Sequence, residues 1–299
     1  MSSKFTKLTK DEIESFILPF IPKNKRGFSS KISPVEIIQC IIHKLKTGSQ
    51  WCCLFVDTEC VKQNYSWQLV YYYYRKWSKL GVFKEIFDTF ISLQEGQLDL
   101  ENINLDGTQS LAKKSGEAIG YQHRKKGRTS NILILTDGRG IPVALGDILS
   151  GNHNDLYEIV PQFSKIITEL RGKGIVLENS VLNADKGFDS KDFREYCKRK
   201  KIIPNIKQNT RNRKKSKRGR KMYFNQMLYQ RRFVNERCFA WIDSFKTLLI
   251  RFDTTILSWI NWHYIACFLI LIKVKMSSLS IEYLIFFCTA LLQHVSNPT

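Results

Sequence analysis

Three carboxylates in this sequence have surroundings that suit metal binding. Asp106 and Asp185 each follow a short apolar run, and each precedes a turn containing Gly, in "INLDGT" and "VLNADKG". We expect both runs to be strands that end at the aspartates, and neighbouring strands lie about 5 Å apart. Two carboxylates at that spacing need a cation between them, and hard oxygen ligands favour Mg²⁺ or Mn²⁺.

The third carboxylate, Glu236, lies in "YQRRFVNERCFAWI". We expect a helix here whose apolar residues Phe233, Val234, Phe239 and Trp241 face inward. A Glu among them is either the ion-pair partner of a neighbouring Arg or a metal ligand. A pair of divalent ions held by three carboxylates can activate a water or hydroxyl and stabilise the leaving oxygen of a phosphodiester.

The N-terminal part of the chain reads as helical. Apolar spacing and start and stop residues predict helices over 33–48, 66–81 and 83–94. The middle helix is basic and aromatic, which suits a helix-turn-helix unit with Arg75 and Lys76 as DNA contacts. A plain helical bundle is the alternative.

After residue 97 the pattern changes to strands. "NILILTD" and "IPVALGD" flank a Gly-Arg-Gly turn and predict a hairpin. A helix over 154–170 capped by Asn154 or Asp155, a strand to Asp185, a helix over 190–200 and a strand over 201–206 follow. One long helix is expected from Met222. This order predicts an α/β fold with a mixed sheet covered by helices.

The net charge is +20 and the isoelectric point is near 9.6, which favours a polyanionic partner. The charge is clustered in the segments 113–128 and 207–221. Candidate phosphate contacts in these segments are Arg124, Lys125, Lys126, Arg128, Arg213, Lys214, Lys215, Lys217 and Arg218.

Compartment signals favour the cytoplasm. The N-terminus has no apolar segment of signal-peptide type, and the eight cysteines match neither a zinc pattern nor a disulfide framework. The apolar runs after residue 263 are interrupted by Lys273 and Lys275 and fall short of a membrane span. Packed helices or strands are expected there, and a membrane hairpin is the alternative.

Several ordered motifs together resemble the bacterial insertion-sequence transposases of the DDE class. They are "LDGT", "GRTSNILILTDGRGIPVALGDILSGNHND", "ADKGFDS" and the pattern Tyr-x2-Arg-x3-Glu-Arg-x-Phe-Ala-Trp. "KLKTGSQW" and "SWQLVYYYYRKWSKLGVF" also resemble the DNA-binding region that precedes the catalytic domain in that family. The resemblance covers roughly residues 15–265 and implies a ribonuclease-H-like catalytic fold.

The resemblance implies that Asp106, Asp185 and Glu236 are the catalytic triad and metal ligands. Tyr229 and Arg232 match the family's Tyr-x2-Arg-x3-Glu signature and are expected to contact DNA.

Some positions depart from the family or carry weaker signals. Asp243 stands where the family usually has Lys or Arg, and Lys246, one helical turn further, is a substitute DNA contact. Lys186 either contacts a phosphate or pairs with a carboxylate. His153 is either a loop residue or a neighbour of the active site.

The function implied is a DNA transposase that cleaves the ends of its insertion sequence and joins them to target DNA with two Mg²⁺ or Mn²⁺ ions. A homodimer on double-stranded DNA, no small-molecule cofactor and no membrane are expected. The predicted domains are a DNA-binding region over 1–97, a catalytic domain over 98–265 and an apolar tail over 266–299.

Three other functions compete with this interpretation. A ribonuclease-H-like nuclease of repair or recombination would share the metal chemistry but would not account for the N-terminal region. A transposase-derived protein that has lost catalysis would bind DNA without cutting it. A phosphatase of the haloacid-dehalogenase type would use Asp-x-Asp-Gly-Thr, but Asn104 stands at the position of the nucleophilic Asp.

Overall fold

The computed structural model describes residues 8–22, 32–54, 66–154, 156–209 and 222–276. The chain forms two compact units. One contains residues 94–241, and the other contains residues 1–93 together with 242–299.

A mixed sheet forms the centre of the 94–241 unit. Its strands are β1 (Asn102–Ala112), β2 (Gly120–Gln122), β3 (Gly127–Thr136), β4 (Pro142–Ser150), β5 (Val181–Ala184) and β6 (Ile203–Ile206). Strand β1 is antiparallel to β3 and parallel to β5, and β6 continues the sheet parallel to β5. Strands β2 and β4 both pair with β3. This is the mixed sheet predicted from the sequence.

Side chains alternate between the two faces of this sheet. One face includes Ile103 and Leu105 of β1, which are completely buried. Helices α5 (Ile159–Arg171) and α6 (Lys191–Arg199) pack on β4 and β6, and the rings of Phe163 and Phe193 meet edge to face, 5.4 Å apart. Because side chains alternate along a strand, Asp106 lies on the opposite face from Leu105.

The segment expected to be one helix after Met222 is interrupted. It forms α7 (Gln226–Gln230), a 3-10 turn (Arg231–Phe233) and α8 (Val234–Asp243). The prediction of a single helix is wrong, and the 3-10 turn places Arg232 between the two α-helices.

Two further local predictions are corrected. Strand β1 continues to Ala112, so Asp106 lies within the strand rather than at its end. Helix α5 begins at Ile159 rather than at residue 154. The side chain of Asn154 accepts a hydrogen bond from the Leu156 amide in the preceding turn, and Asp155 lies outside the described residues.

The other unit is helical where it is described. Its main helices are α1 (Lys10–Phe16), α2 (Pro34–Thr47), α3 (Trp67–Lys79), α4 (Val82–Ser92), α9 (Lys246–Leu249) and α10 (Ile256–Met276), and a short strand β7 (Ile250–Arg251) precedes α10. Helices α1 and α2 begin with capping boxes at Thr9 and Ser33. Val70, Tyr74 and Trp77 of α3 are buried, Tyr71 is half-buried, and Tyr74 stacks on Trp262 of α10.

Helix α10 is the most apolar element. The apolar runs here were predicted to fall short of a membrane span, but α10 has 21 residues, and its stretch Ile256–Val274 is long and apolar enough to cross a membrane. However, 67% of that stretch is buried in the structure, as in the core helix of a soluble protein. Lys273 is accommodated because its ammonium group pairs with Glu12, 2.9 Å away.

Candidate active site

Strand register places Asp106 and Asp185 side by side. Leu105 of β1 pairs with Ala184 of parallel β5, and each aspartate is the next residue along its strand direction. Adjacent strands are about 4.8 Å apart, so the two carboxylates lie on one face of the sheet within reach of a common partner.

The common partner is Arg232. Its Nη1 atom donates to Asp106 Oδ2 at 3.3 Å, and Nη2 lies 4.0 Å from Asp185 Oδ1. All three side chains are partly open to solvent, at 27% for Arg232, 22% for Asp106 and 39% for Asp185. The guanidinium group therefore offsets the repulsion between two carboxylates that remain accessible from outside.

Tyr229 supports this arrangement from α7. Its hydroxyl donates to Asp185 Oδ1 at 3.2 Å, and the Arg232 guanidinium lies 5.5 Å from the centre of its ring. Burial raises the pKa of Tyr229, Arg232 opposes that rise, and the negative charge of Asp185 adds to it. The phenol thus remains a hydrogen-bond donor at neutral pH.

The two aspartates have the donor atoms that a divalent ion requires. Carboxylate oxygens are the preferred ligands of Mg²⁺ and Mn²⁺. The position of the Arg232 guanidinium, in contact with Asp106 and close to Asp185, indicates that this pair accommodates a cation. Asp106 and Asp185 therefore fit as two of the ligands of such an ion.

Glu236 is placed differently. It is exposed on α8, and the buried side of that helix is formed by Val234, Asn235 and Cys238. Of the residues expected to face inward with it, Phe233 is 64% exposed. Phe239 and Trp241 are only partly buried. Across the described ranges, no group of three or more Asp, Glu, His or Cys side chains is arranged to hold a metal ion.

The first turn of α8 is fixed beside the β3–β4 turn. Gly140 has a φ of +80°, and a Cβ atom added there would come within 2.8 Å of the Val234 carbonyl oxygen. Arg237 also donates a hydrogen bond to the Arg139 carbonyl. The position of Glu236 thus depends on this hairpin turn, which the sequence analysis did not connect with the site.

Lys186 and His153 have different surroundings. Lys186 is exposed at the start of the 3-10 turn that follows Asp185. The His153 ring stacks on Tyr157 at 3.6 Å, and its amide donates to the Ser150 carbonyl. A role of His153 beside the aspartates stays a prediction.

The predicted phosphate contacts fall into separate groups. Arg124, Lys125, Lys126 and Arg128 are exposed at the hairpin between β2 and β3. In the helical unit, Arg75 and Lys246 are exposed and Lys76 is partly exposed. Five candidates lie outside the described residues, namely Arg213, Lys214, Lys215, Lys217 and Arg218.

The surroundings of Asn104 are inconsistent with phosphatase chemistry. Its side chain is 1% exposed, and its amide nitrogen donates to the Asp137 carbonyl. A buried amide in this position cannot act as the nucleophile of a haloacid-dehalogenase-type enzyme.

The sequence of the chain matches a known protein family. Residues 97–271, more than half of the sequence, match the family model described as "Transposase DDE domain". The chain belongs to the DDE transposase family. DDE transposases act on DNA and generally use divalent metal ions, and their catalytic fold is consistent with the mixed sheet described above.

A relative of this chain comes from Burkholderia cepacia, where it is named "Putative transposase for insertion sequence element IS402". The two are 34% identical over 123 residues, which is 40% of this chain and 52% of the relative. The match thus spans about half the length of the relative. No solved structure matches the chain significantly.

Proposed function

We propose that this protein is a transposase that cuts the ends of its own insertion sequence and joins the freed 3′-hydroxyls to target DNA. The observation that carries the proposal is the pair of accessible carboxylates, Asp106 and Asp185, around Arg232 in a chain of the DDE transposase family.

Asp106 and Asp185 would hold divalent ions, Mg²⁺ or Mn²⁺, and Glu236 would complete the ligand set. Two such ions, when bound, favour ionisation of the attacking water or 3′-hydroxyl and stabilise the departing 3′-oxygen of the phosphodiester. Glu236 is a candidate because it is exposed on α8, four residues after Arg232.

The remaining residues of the site act on charge and orientation. Tyr229 donates to one oxygen of Asp185 and so restrains its carboxylate. Arg232 supplies positive charge beside both aspartates and can contact a DNA phosphate. Lys186, exposed next to Asp185, is suited to hold a phosphate near the reacting bond.

DNA is held over a wider surface. The exposed basic residues of the β2–β3 hairpin, Arg75, Lys76 and Lys246 neutralise phosphates, and the basic segment 207–221 adds further charge. The helices before residue 97 recognise the terminal inverted repeats. The protein acts as a homodimer, because two element ends must be held together. It acts in the cytoplasm, in association with the nucleoid.

Cleavage of a labelled duplex carrying the element's ends, in Mg²⁺ or Mn²⁺, tests this function. Asp106→Asn and Asp185→Asn should lower cleavage by roughly 1,000-fold, since ion-held charge stabilisation is worth several kcal/mol. Both variants should still bind the duplex. Asp147→Asn is the matched control, because Asp147 is an exposed carboxylate on β4 that pairs with Lys165.

A protein that binds DNA without cutting it is the second candidate. Asp243, which stands where the family usually has Lys or Arg, favours this candidate. Binding of the element's ends by the wild type without any metal-dependent cleavage would support it, and failure to bind those ends would contradict both candidates.

A further inference from the structure

A row of buried polar side chains crosses the sheet, and two of them lie two residues before the two aspartates in the sequence. Thr136 of β3 pairs with Asn104 of β1, which pairs with Asn183 of β5, which pairs with Asn205 of β6. All four are at most 1% exposed. Burying polar groups is unfavourable unless they are hydrogen-bonded, so a row of this kind requires a structural or functional reason.

The row lies on the active-site face of the sheet. Asn104 and Asn183 stand two residues before Asp106 and Asp185, and alternate residues of a strand share one face. The sequence signal is the repeated pattern Asn-x-Asp, in "NLD" and "NAD", which the sequence analysis did not use.

One end of the row holds the start of α7. Asn205 accepts a hydrogen bond from the Asn225 amide at 2.8 Å and donates to the Asn225 carbonyl at 3.0 Å. It also donates to Asn183, at 2.7 Å. Asn225 in turn caps α7, the helix that carries Tyr229. The position of Tyr229 beside Asp185 is therefore linked to Asn205.

The other end of the row holds the start of α8. The Thr136 hydroxyl donates to Asn235 Oδ1 at 2.6 Å, and Asn235 is 1% exposed. The Nδ2 atom of Asn235 has no hydrogen-bond partner among the described residues. The bond from Thr136 thus ties this side chain, and the adjoining Glu236, to the sheet, in addition to the contacts of α8 with the β3–β4 turn.

We propose that Asn205 and Thr136, together with Asn235, are positioning residues for the catalytic segment. They fasten residues 225–236 at both ends, and so fix where Tyr229, Arg232 and Glu236 stand relative to Asp106 and Asp185. This inference rests on the proposed transposase function for its catalytic consequence, but the anchoring itself is a property of the free protein.

The Thr136 end allows a nearly isosteric test. Thr136→Val removes the hydroxyl and keeps the shape, and Thr136→Ser restores the hydroxyl. Thr129→Val is the matched control, because Thr129 is equally buried on the same strand and its hydroxyl has no partner among the described residues. All variants are compared with wild type by hydrogen exchange without DNA or metal, and by DNA binding and single-turnover cleavage.

Thr136→Val should accelerate amide exchange over 234–238 and lower the cleavage rate roughly 10- to 100-fold, as losing a supporting hydrogen bond typically does. The Kd for DNA should not change, Thr129→Val should resemble wild type, and Thr136→Ser should recover the rate. Equal exchange and equal cleavage in Thr136→Val and Thr129→Val would overturn the proposal.

Asn205→Leu tests the other end independently and carries the test if Thr136→Val does not fold. It should expose the Asn225 amide to exchange and slow cleavage without weakening DNA binding. Asn131→Leu is its control, since Asn131 is a buried asparagine of β3 on the opposite face, beside Gly107. Identical behaviour of the two variants would contradict the proposal.

Different results would contradict the transposase function and the anchoring of residues 225–236. If wild type and Thr129→Val do not cleave the element's ends, the transposase function fails. Hydrogen exchange still decides whether the row anchors residues 225–236, because that measurement requires neither DNA nor metal.

Discussion

Arg232 is the residue on which the charge balance of the site depends. Its guanidinium group places positive charge beside both Asp106 and Asp185, which lie on adjacent strands. Like charges at such a distance destabilise the folded state. Arg232 and a divalent ion therefore compete for the same two carboxylates.

This competition predicts the effect of replacing Arg232. Arg232→Gln should lower the metal-free unfolding temperature, and Mn²⁺ should raise the unfolding temperature of this variant by about 2–4 °C more than that of wild type, for a partly exposed interaction of about 1 kcal/mol. Thermal unfolding with and without Mn²⁺ measures both effects.

Arg237→Gln is the matched control for that experiment. Arg237 lies on α8 and donates to the Arg139 carbonyl rather than to a carboxylate. An equal response to Mn²⁺ in Arg232→Gln and Arg237→Gln would show that Arg232 does not occupy the place of a cation.

At the scale of elements, α3 divides its residues clearly between core and solvent. Val70, Tyr74 and Trp77 are buried, whereas Gln68, Tyr72, Arg75 and Lys79 are exposed along one stripe at helical spacing. An exposed stripe with two positive charges and an aromatic ring suits a helix that lies against DNA.

Replacing Arg75 should weaken binding to the element's ends. Each lost phosphate contact lowers the slope of log K against log salt concentration by about 0.9, so Arg75→Ala should reduce that slope by this amount. Fluorescence anisotropy over a salt series measures it. Lys10→Ala, which changes an exposed residue of α1 in the same unit, should leave the slope unchanged.

At the scale of the whole molecule, stability depends on pH through a histidine of the helical unit. His263 of α10 is completely buried, and its Nδ1 lies 3.0 Å from the Trp259 carbonyl. The pKa of His263 is lowered to about 4, mainly by burial and also by the nearby positive charge of Arg251, while the hydrogen bond with the Trp259 carbonyl raises it.

The sign of the effect follows from the lowered pKa. As the pH falls below about 6.5, the unfolded chain takes up the proton first, so folding stability is lost towards pH 4. Between pH 7.5 and pH 5 this group should cost about 2 kcal/mol of unfolding free energy. Urea unfolding of wild type and His263→Gln measures the difference.

Between pH 7.5 and pH 5, His263→Gln should lose about 2 kcal/mol less unfolding free energy than wild type. His123→Gln is the control, because the His123 ring is exposed. If both substitutions change the pH dependence equally, the buried ring of His263 is not its source.

The sequence by itself determined the order of elements and the neighbourhood of two carboxylates. Apolar runs with short turns specify the strands, and β1 and β5 carry their aspartates at matching positions. Parallel pairing then fixes the two side chains on one face, because residues alternate with a period of two along each strand.

Only the tertiary structure decided how residues 231–236 are placed relative to those aspartates. The break of the expected helix at Arg231–Phe233, the insertion of Arg232 and the exposure of Glu236 depend on anchors far away in sequence, at Thr136 and Asn205. A local pattern of apolar residues indicates a helix but not its breaks, because the hydrogen bonds that fix them come from other strands.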